Sequence, residues 1–222
     1  MDQEGTYRIA GLYAISPAEI EPGDMLEKME KALQGGVGIV QLRAKNWNPD
    51  RSREAARQLR DMTRRHGALF FVNDDVELAR SVNADGVHLG ILDGDWSDVA
   101  QIANSSVANL VGVSCYNDLD RAWKAKAAGA SYVAFGSVYP SKTKPHAARA
   151  SLEIIREART DLNLPIVAIG GIEPENASAV VGAGADALAV INGLFGSQDI
   201  EATARAYMSA FRPRLEETES TT

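Results

Sequence analysis

The chain contains a single cysteine, Cys115, so no intramolecular disulfide can form and the fold does not depend on an oxidising compartment. It also lacks a basic excess. Lys and Arg total 23 against 30 Asp and Glu, a formal net charge of −7, which leaves no cationic face to neutralise nucleic-acid or membrane phosphates. Part of that charge sits late in the chain, in Glu216, Glu217 and Glu219. No apolar run approaches the roughly 18 residues of a membrane span. The start carries Asp2 and Glu4 before a short apolar run at 9–15, whereas a secretory signal needs a basic start and a longer apolar core. A cytoplasmic protein without nucleic-acid or membrane partners is the expectation. No Pro/Ser-rich linker divides the 222 residues, so one domain over 1–211 is expected, with 212–222 a frayed tail.

What is present is alternation. Short apolar runs at 9–15, 39–43, 69–73, 86–89, 110–114, 132–135, 166–169 and 187–190 read as strands. Amphipathic stretches at 25–34, 50–65, 76–82, 96–103, 119–127, 151–160, 175–181 and 200–211 read as helices. Eight strands, each followed by a helix, is the count of a closed parallel (β/α)₈ barrel, the TIM-barrel member of the α/β class. Glycine-containing turns such as Gly35-Gly36 and Gly129-Ala130 punctuate helix ends, as left-handed C-caps require. The phrase Gly-Ala-Ser/Asp precedes a strand at 129–131 and again at 184–186. An open doubly wound sheet would want a glycine-rich turn after the first strand, and Ala14-Ile15-Ser16-Pro17 offers none.

In such a barrel the chemistry lies where strands end and βα loops begin. Alternation along the second strand puts Gln41, Arg43 and Lys45 on one face, an arrangement that is costly unless the three meet a ligand or each other. The third strand stops in Asn73-Asp74-Asp75. Asp75 reads as an N-cap. Asp74 pairs naturally with Asp93 in the loop after the fourth strand, Asp95 being a fallback. Two carboxylates on neighbouring strand ends beside cationic side chains suit Mg²⁺ and a diphosphate, because magnesium takes one or two carboxylates plus phosphate oxygens. His88, flanked by Val87 and Leu89, reads as a satisfied core histidine. Ser114 either donates to a phosphate or caps the next helix. Cys115 has no histidine beside it and no cation before Arg121, so a nucleophilic role is not expected. The long loop after the sixth strand carries Ser141, Lys142, Thr143 and Lys144, hydroxyls and cations suited to an anion. Gly170-Gly171 and Gly193 end the last two strands, where backbone amides can approach a second phosphate. Two phosphate sites in one pocket imply two phosphorylated small-molecule substrates.

The order Gln-Leu-Arg-Ala-Lys (41–45), Val-Asn-Asp-Asp (72–75), Gly-Val-His-Leu-Gly (86–90), Gly-Val-Ser (112–114), Phe-Gly-Ser-Val-Tyr-Pro-Ser-Lys-Thr-Lys (135–144) and Ala-Ile-Gly-Gly-Ile (168–172) resembles the thiamine phosphate synthase family. The resemblance implies a transferase that joins a hydroxymethylpyrimidine diphosphate to a thiazole phosphate, releasing diphosphate. It implies that Gln41, Arg43, Lys45, Asn73, Ser114 and Lys144 hold the pyrimidine diphosphate. Ser141, Thr143, Gly171, Ile191 and Asn192 would hold the thiazole phosphate, and Asp74 and Asp93 would hold Mg²⁺. Of these, Lys144, Ser114 and Arg43 are the expected catalytic residues. Ile91 stands where the family usually has Gln, Ser141 where it often has Thr, and Asn192 where Ser is common. A thiazole tautomerase-like barrel and a non-catalytic phosphate-ligand binder are the rival readings, and a homo-oligomer is left open.

Overall fold

A computed structural model describes residues 9–45, 47–90, 96–104, 109–140 and 149–211. The elements run β1 (Gly11–Ile15), α1 (Pro22–Gln34), β2 (Ile39–Leu42), α2 (Pro49–His66), β3 (Leu69–Asn73), α3 (Val76–Ser81), β4 (Gly86–Leu89) and α4 (Trp96–Ala103). They continue β5 (Leu110–Tyr116), α5 (Leu119–Ala127), β6 (Tyr132–Gly136), α6 (Leu152–Asp161), β7 (Ile166–Ile169), α7 (Pro174–Gly182), β8 (Ala187–Val190), α8 (Asn192–Phe195) and α9 (Ile200–Met208), with a 3₁₀ turn at Ser209–Phe211. The strands close into one barrel in sequence order, β8 returning to pair in parallel with β1. Residues 212–222, expected to be a frayed tail, lie outside the described residues. Among the described residues no helix is long and apolar enough to cross a membrane.

Local chemistry explains where the helices start. Asn48, Asp75, Asp118, Ser151 and Asp199 each accept a hydrogen bond from the backbone N–H three residues on, satisfying a donor the helix itself cannot pair. Proline opens α1, α2 and α7, where its missing N–H is not needed. Several boundaries differ from the sequence reading, β1 starting at Gly11 and α1 at Pro22 among them. β2 stops at Leu42 because the Arg43 N–H is taken by Ser16 Oγ at 2.8 Å and not by a strand carbonyl. β5 runs on to Tyr116, with a register shift against β6 between Ser114 and Tyr116. The short α8, with Gly193 in its middle, presents no periodicity to read.

The Gly-Ala-Ser/Asp phrase has a structural job at the N-terminal end of the barrel. Asp85, Ser131 and Asp186 each stand one residue before a strand and accept the first backbone N–H of the preceding odd-numbered strand or its neighbour: Phe70 at 2.8 Å, Val111 at 3.0 Å and Ile166 at 2.8 Å. Two are tied further to the helix before the odd-numbered strand: Arg60 of α2 bonds both oxygens of Asp85, and Arg159 of α6 reaches Asp186. The equivalent position before β2 is Gly38, which has no side chain to do this. There the first helix leans on the last one. A Cβ placed on Gly35, at the end of α1, would lie 2.5 Å from Ala204 Cβ in α9.

Two apolar shells result. Between sheet and helices, Leu12, Met25, Val40, Leu59, Phe70 and their neighbours form one cluster. Inside the barrel, Tyr13, Ile15, Ile39, Phe71, Tyr132, Val167 and Ala189 form another. Phe71 and Tyr132 meet edge to face with centroids 5.6 Å apart, the arrangement that aromatic quadrupoles favour. The polar ends of the inner tyrosines lead to the mouth of the barrel.

Candidate active site

At the mouth, β3 and β4 hold one carboxylate firmly. Asp74 follows β3 with a left-handed φ of 61°, a conformation that Asp and Asn tolerate better than most residues. Its own N–H donates to the His88 carbonyl at 2.9 Å. Oδ1 accepts the Gly90 N–H at 2.8 Å, and Oδ2 accepts Asn73 Nδ2 at 2.7 Å, with Lys45 Nζ 3.8 Å away. Each oxygen keeps lone-pair capacity after those contacts. The group is an oriented, hard oxygen donor facing solvent, which is what Mg²⁺ takes. The structure thus brings Lys45, Asn73 and Asp74 together from two neighbouring strands. Arg43 lies just past the end of β2, half-buried, and among the described residues no partner occupies its guanidinium. Among the described residues no group of three or more His, Cys, Asp or Glu converges, and a magnesium held largely by substrate oxygens needs none.

A second polar feature runs across the barrel below that rim. Gln41 is 2% exposed, and its Nε2 donates to Tyr13 Oη at 2.8 Å. The Tyr13 and Tyr132 hydroxyls lie 2.9 Å apart. Tyr132 Oη is 2.9 Å from His88 Nδ1, and His88 Nε2 is 2.9 Å from Ser114 Oγ. Burial pushes the His88 pKa down to about 4, against the opposing pull of Asp74, and pushes both phenols up, so every member is neutral near pH 7. His88 is the satisfied core histidine that the sequence suggests. Ser114 is not a helix cap, since Asp118 caps α5; its hydroxyl is half-buried at the end of this chain. Tyr13 and Tyr132 were not singled out from sequence. The available signal was a tyrosine inside a buried apolar strand, whose hydroxyl must find a partner.

Across the mouth, the glycines that follow β7 and open α8 are closely packed. Gly171 has φ 62°, and a Cβ there would sit 2.4 Å from the Pro140 carbonyl oxygen. A Cβ on Gly193 would sit 2.4 Å from Tyr207 Oη, which donates to the Ile172 carbonyl at 2.7 Å. Asn176 Nδ2 donates to the Gly171 carbonyl at 3.1 Å. These contacts hold the loop after β7 and the start of α8, with Ile191 half-buried and Asn192 exposed beside them. Asp93, Ser141, Thr143 and Lys144 lie outside the described residues.

The family model for thiamine monophosphate synthase matches residues 12–194. The chain belongs to that family. Similar family members include the thiamine-phosphate synthase of Thioalkalivibrio sulfidiphilus, 47% identical over 207 residues, covering 92% of this chain and 96% of that protein. The thiamine-phosphate synthase of Nitrosococcus oceani is 47% identical over 214 residues, covering 93% of this chain and 98% of that one. A solved thiamine phosphate pyrophosphorylase from Pyrococcus furiosus superposes with a TM-score of 0.81 at 33% identity, over 92% of this chain and 96% of the other.

In this member of the thiamine monophosphate synthase family Cys115 is fully buried in the cluster between sheet and helices, and burial pushes its thiol pKa up to about 12. Such a thiol supplies no thiolate near neutral pH. Cys115→Ser should therefore leave turnover within about twofold, any cost falling on stability because a hydroxyl replaces a buried apolar atom. Steady-state rates for the variant check this. Stoichiometric inactivation of the native enzyme by a thiol reagent, blocked by substrate and absent in the variant, would contradict it.

Proposed function

We propose that the chain is a thiamine phosphate synthase, joining 4-amino-2-methyl-5-hydroxymethylpyrimidine diphosphate to 4-methyl-5-(2-phosphoethyl)thiazole. The observation that carries the reading is the family match across 12–194, which spans every strand of the barrel except the first residue of β1. The bond between the pyrimidine methylene and diphosphate breaks, and its electron pair leaves on the diphosphate. The thiazole nitrogen lone pair forms the new carbon–nitrogen bond. No proton has to move, so the site has no need of a general base or a covalent nucleophile. Its work is stabilising the leaving group and positioning the acceptor.

The residues divide that work. Lys45, Arg43 and Lys144 offer charge-assisted donors to diphosphate oxygens, and Asn73 and Ser114 offer neutral ones. Asp74 and Asp93 would hold Mg²⁺, which when bound supplies positive charge to the departing diphosphate. Gln41, whose Nε2 donates to Tyr13 Oη, would complete the diphosphate site from below. Ser141, Thr143, Gly171, Ile191 and Asn192 would hold the thiazole phosphate, with Asn176 and Tyr207 bracing the backbone beneath. The apolar inner barrel under the mouth keeps water from the pyrimidine cation formed as diphosphate leaves.

Mixing the protein with both substrates and Mg²⁺ should yield thiamine phosphate and diphosphate in equal amounts, with neither formed when one substrate is withheld. Rearrangement of a thiazole substrate alone, without diphosphate release, would replace this reading with a tautomerase. Ligand binding without any product would replace it with a sensor.

A further inference from the structure

We propose that Tyr132 and His88 are positioning residues, forming with Gln41 and Tyr13 a one-way hydrogen-bond chain that forces Ser114 to present its hydroxyl proton to the diphosphate. The proposal rests on the reading that diphosphate binds at this mouth.

The direction follows from counting protons. An amide nitrogen can only donate, so Tyr13 Oη accepts from Gln41 Nε2 at 2.8 Å. Tyr13 is 1% exposed, and its own proton then has one acceptor within reach, Tyr132 Oη at 2.9 Å. Were Tyr132 to donate to Tyr13 instead, the Tyr13 proton would be left buried without an acceptor, which costs more than any hydrogen bond in the chain returns. Tyr132 has therefore accepted once and donates onward to His88 Nδ1 at 2.9 Å. A neutral imidazole carries one N–H, so with Nδ1 accepting, the proton is on Nε2. It points at Ser114 Oγ, 2.9 Å away. Ser114 spends an oxygen lone pair on His88 and keeps its own proton free at the half-exposed end of the chain.

An anion at the mouth thus meets a donor that needs no rearrangement, the condition under which a hydrogen bond contributes most to charge developing on a leaving group. The opposite polarity would have Ser114 donating inward to Nε2 and offering only lone pairs to the diphosphate. That polarity requires the Gln41 amide to turn its oxygen to Tyr13. The chain is uncharged throughout, so it directs the serine without adding a competing cation beside Arg43 and Lys45.

The tautomer is directly observable. The chain has three histidines, so a protein labelled with ¹⁵N-histidine gives few imidazole signals to assign, and loss of one set in His88→Gln identifies the relevant ring. The expected result is a neutral His88 protonated at Nε2, both alone and with Mg²⁺ and inorganic diphosphate. Protonation at Nδ1 in the native protein overturns the proposal. The second measurement is diphosphate affinity in Ser114→Ala, Tyr132→Phe and the double variant. Each single variant should weaken binding roughly tenfold or more, the value of a hydrogen bond to a charged group. The double variant should match Ser114→Ala, because Tyr132 acts through the serine. Additive losses would reduce Tyr132 to a packing residue and overturn the proposal. If Tyr132→Phe does not fold, the native spectrum still decides. An Nδ1 proton in an enzyme that makes thiamine phosphate removes the chain alone. An Nε2 proton in a protein that makes none removes the functional reading and leaves the tautomer standing.

Discussion

Asp74→Asn should lower turnover roughly a hundredfold at limiting Mg²⁺, in line with the several kcal/mol of charge stabilisation a catalytic metal supplies. Asparagine keeps the shape and tolerates the left-handed backbone at this position, where φ is 61°. Its amide oxygen can still accept the Gly90 N–H. Its NH₂ group, however, would face Asn73 Nδ2 and Lys45 Nζ, donors against a donor, and the negative charge is gone. The loss should therefore fall on the metal and not on the fold, with the melting temperature within a few degrees of native. Asp93→Asn should behave alike. β3 and β4 are adjacent in the barrel, so Asp74 and a carboxylate from the loop that follows β4 would share one ion. The double variant should be little worse than the poorer single one, since groups acting through one ion are not additive. Rates across a Mg²⁺ titration for the three variants check this. Fully additive losses with an unchanged Mg²⁺ midpoint would return both aspartates to ordinary loop roles.

Asp85→Ala should have the opposite signature, a large loss of stability with intact chemistry. The Asp85 side chain is 8% exposed and that of Arg60 14%. One carboxylate accepts two guanidinium bonds, at 2.6 and 2.9 Å, and the Phe70 N–H at 2.8 Å. Deleting it leaves a nearly buried cation and a strand N–H without partners, which costs about 3–5 kcal/mol. That is a large fraction of the total stability of an ordinary domain. Ser131→Ala removes only a neutral acceptor from the Val111 N–H and should cost about 1 kcal/mol. Denaturant unfolding of the two variants measures the difference, and the activity of the remaining folded Asp85→Ala protein should match native. The site lies at the other end of the barrel. Equal, small losses in both variants would show that the buried ion pair contributes little.

The barrel was legible because its signals are local. β3, β4, β7 and β8 coincide with apolar runs that glycine, proline, asparagine or aspartate bounds within two residues, at Leu69–Asn73, Gly86–Leu89, Ile166–Ile169 and Ala187–Val190. The strand-end reading also found Lys45, Asn73 and Asp74, which the structure joins. What sequence could not carry is contact across the barrel. Tyr13 and Tyr132 are 119 residues apart, and nothing local says that their hydroxyls meet. For the same reason the sequence shows the glycines at 171 and 193 without showing that Pro140 and Tyr207 fill the places their side chains would take. The end of β2 shifted for a similar cause: Ser16, from the loop after β1, takes a hydrogen bond that the ladder would otherwise make.

Closure of the ring by β8 onto β1 also sets a timetable for a chain made from its N-terminus. β1 needs residues through Val190 before its second edge is paired, and α1 needs Ala204 before the space beside Gly35 is filled. Until then the first strand carries an open edge of unpaired backbone groups, the kind of surface that recruits other nascent chains. The pair β1–β2 also lacks the side-chain acceptor found before β4, β6 and β8, Gly38 standing in its place. Of the eight strands, the one that leaves the ribosome first is therefore the one that locks last, and its safe passage depends on how quickly the others follow.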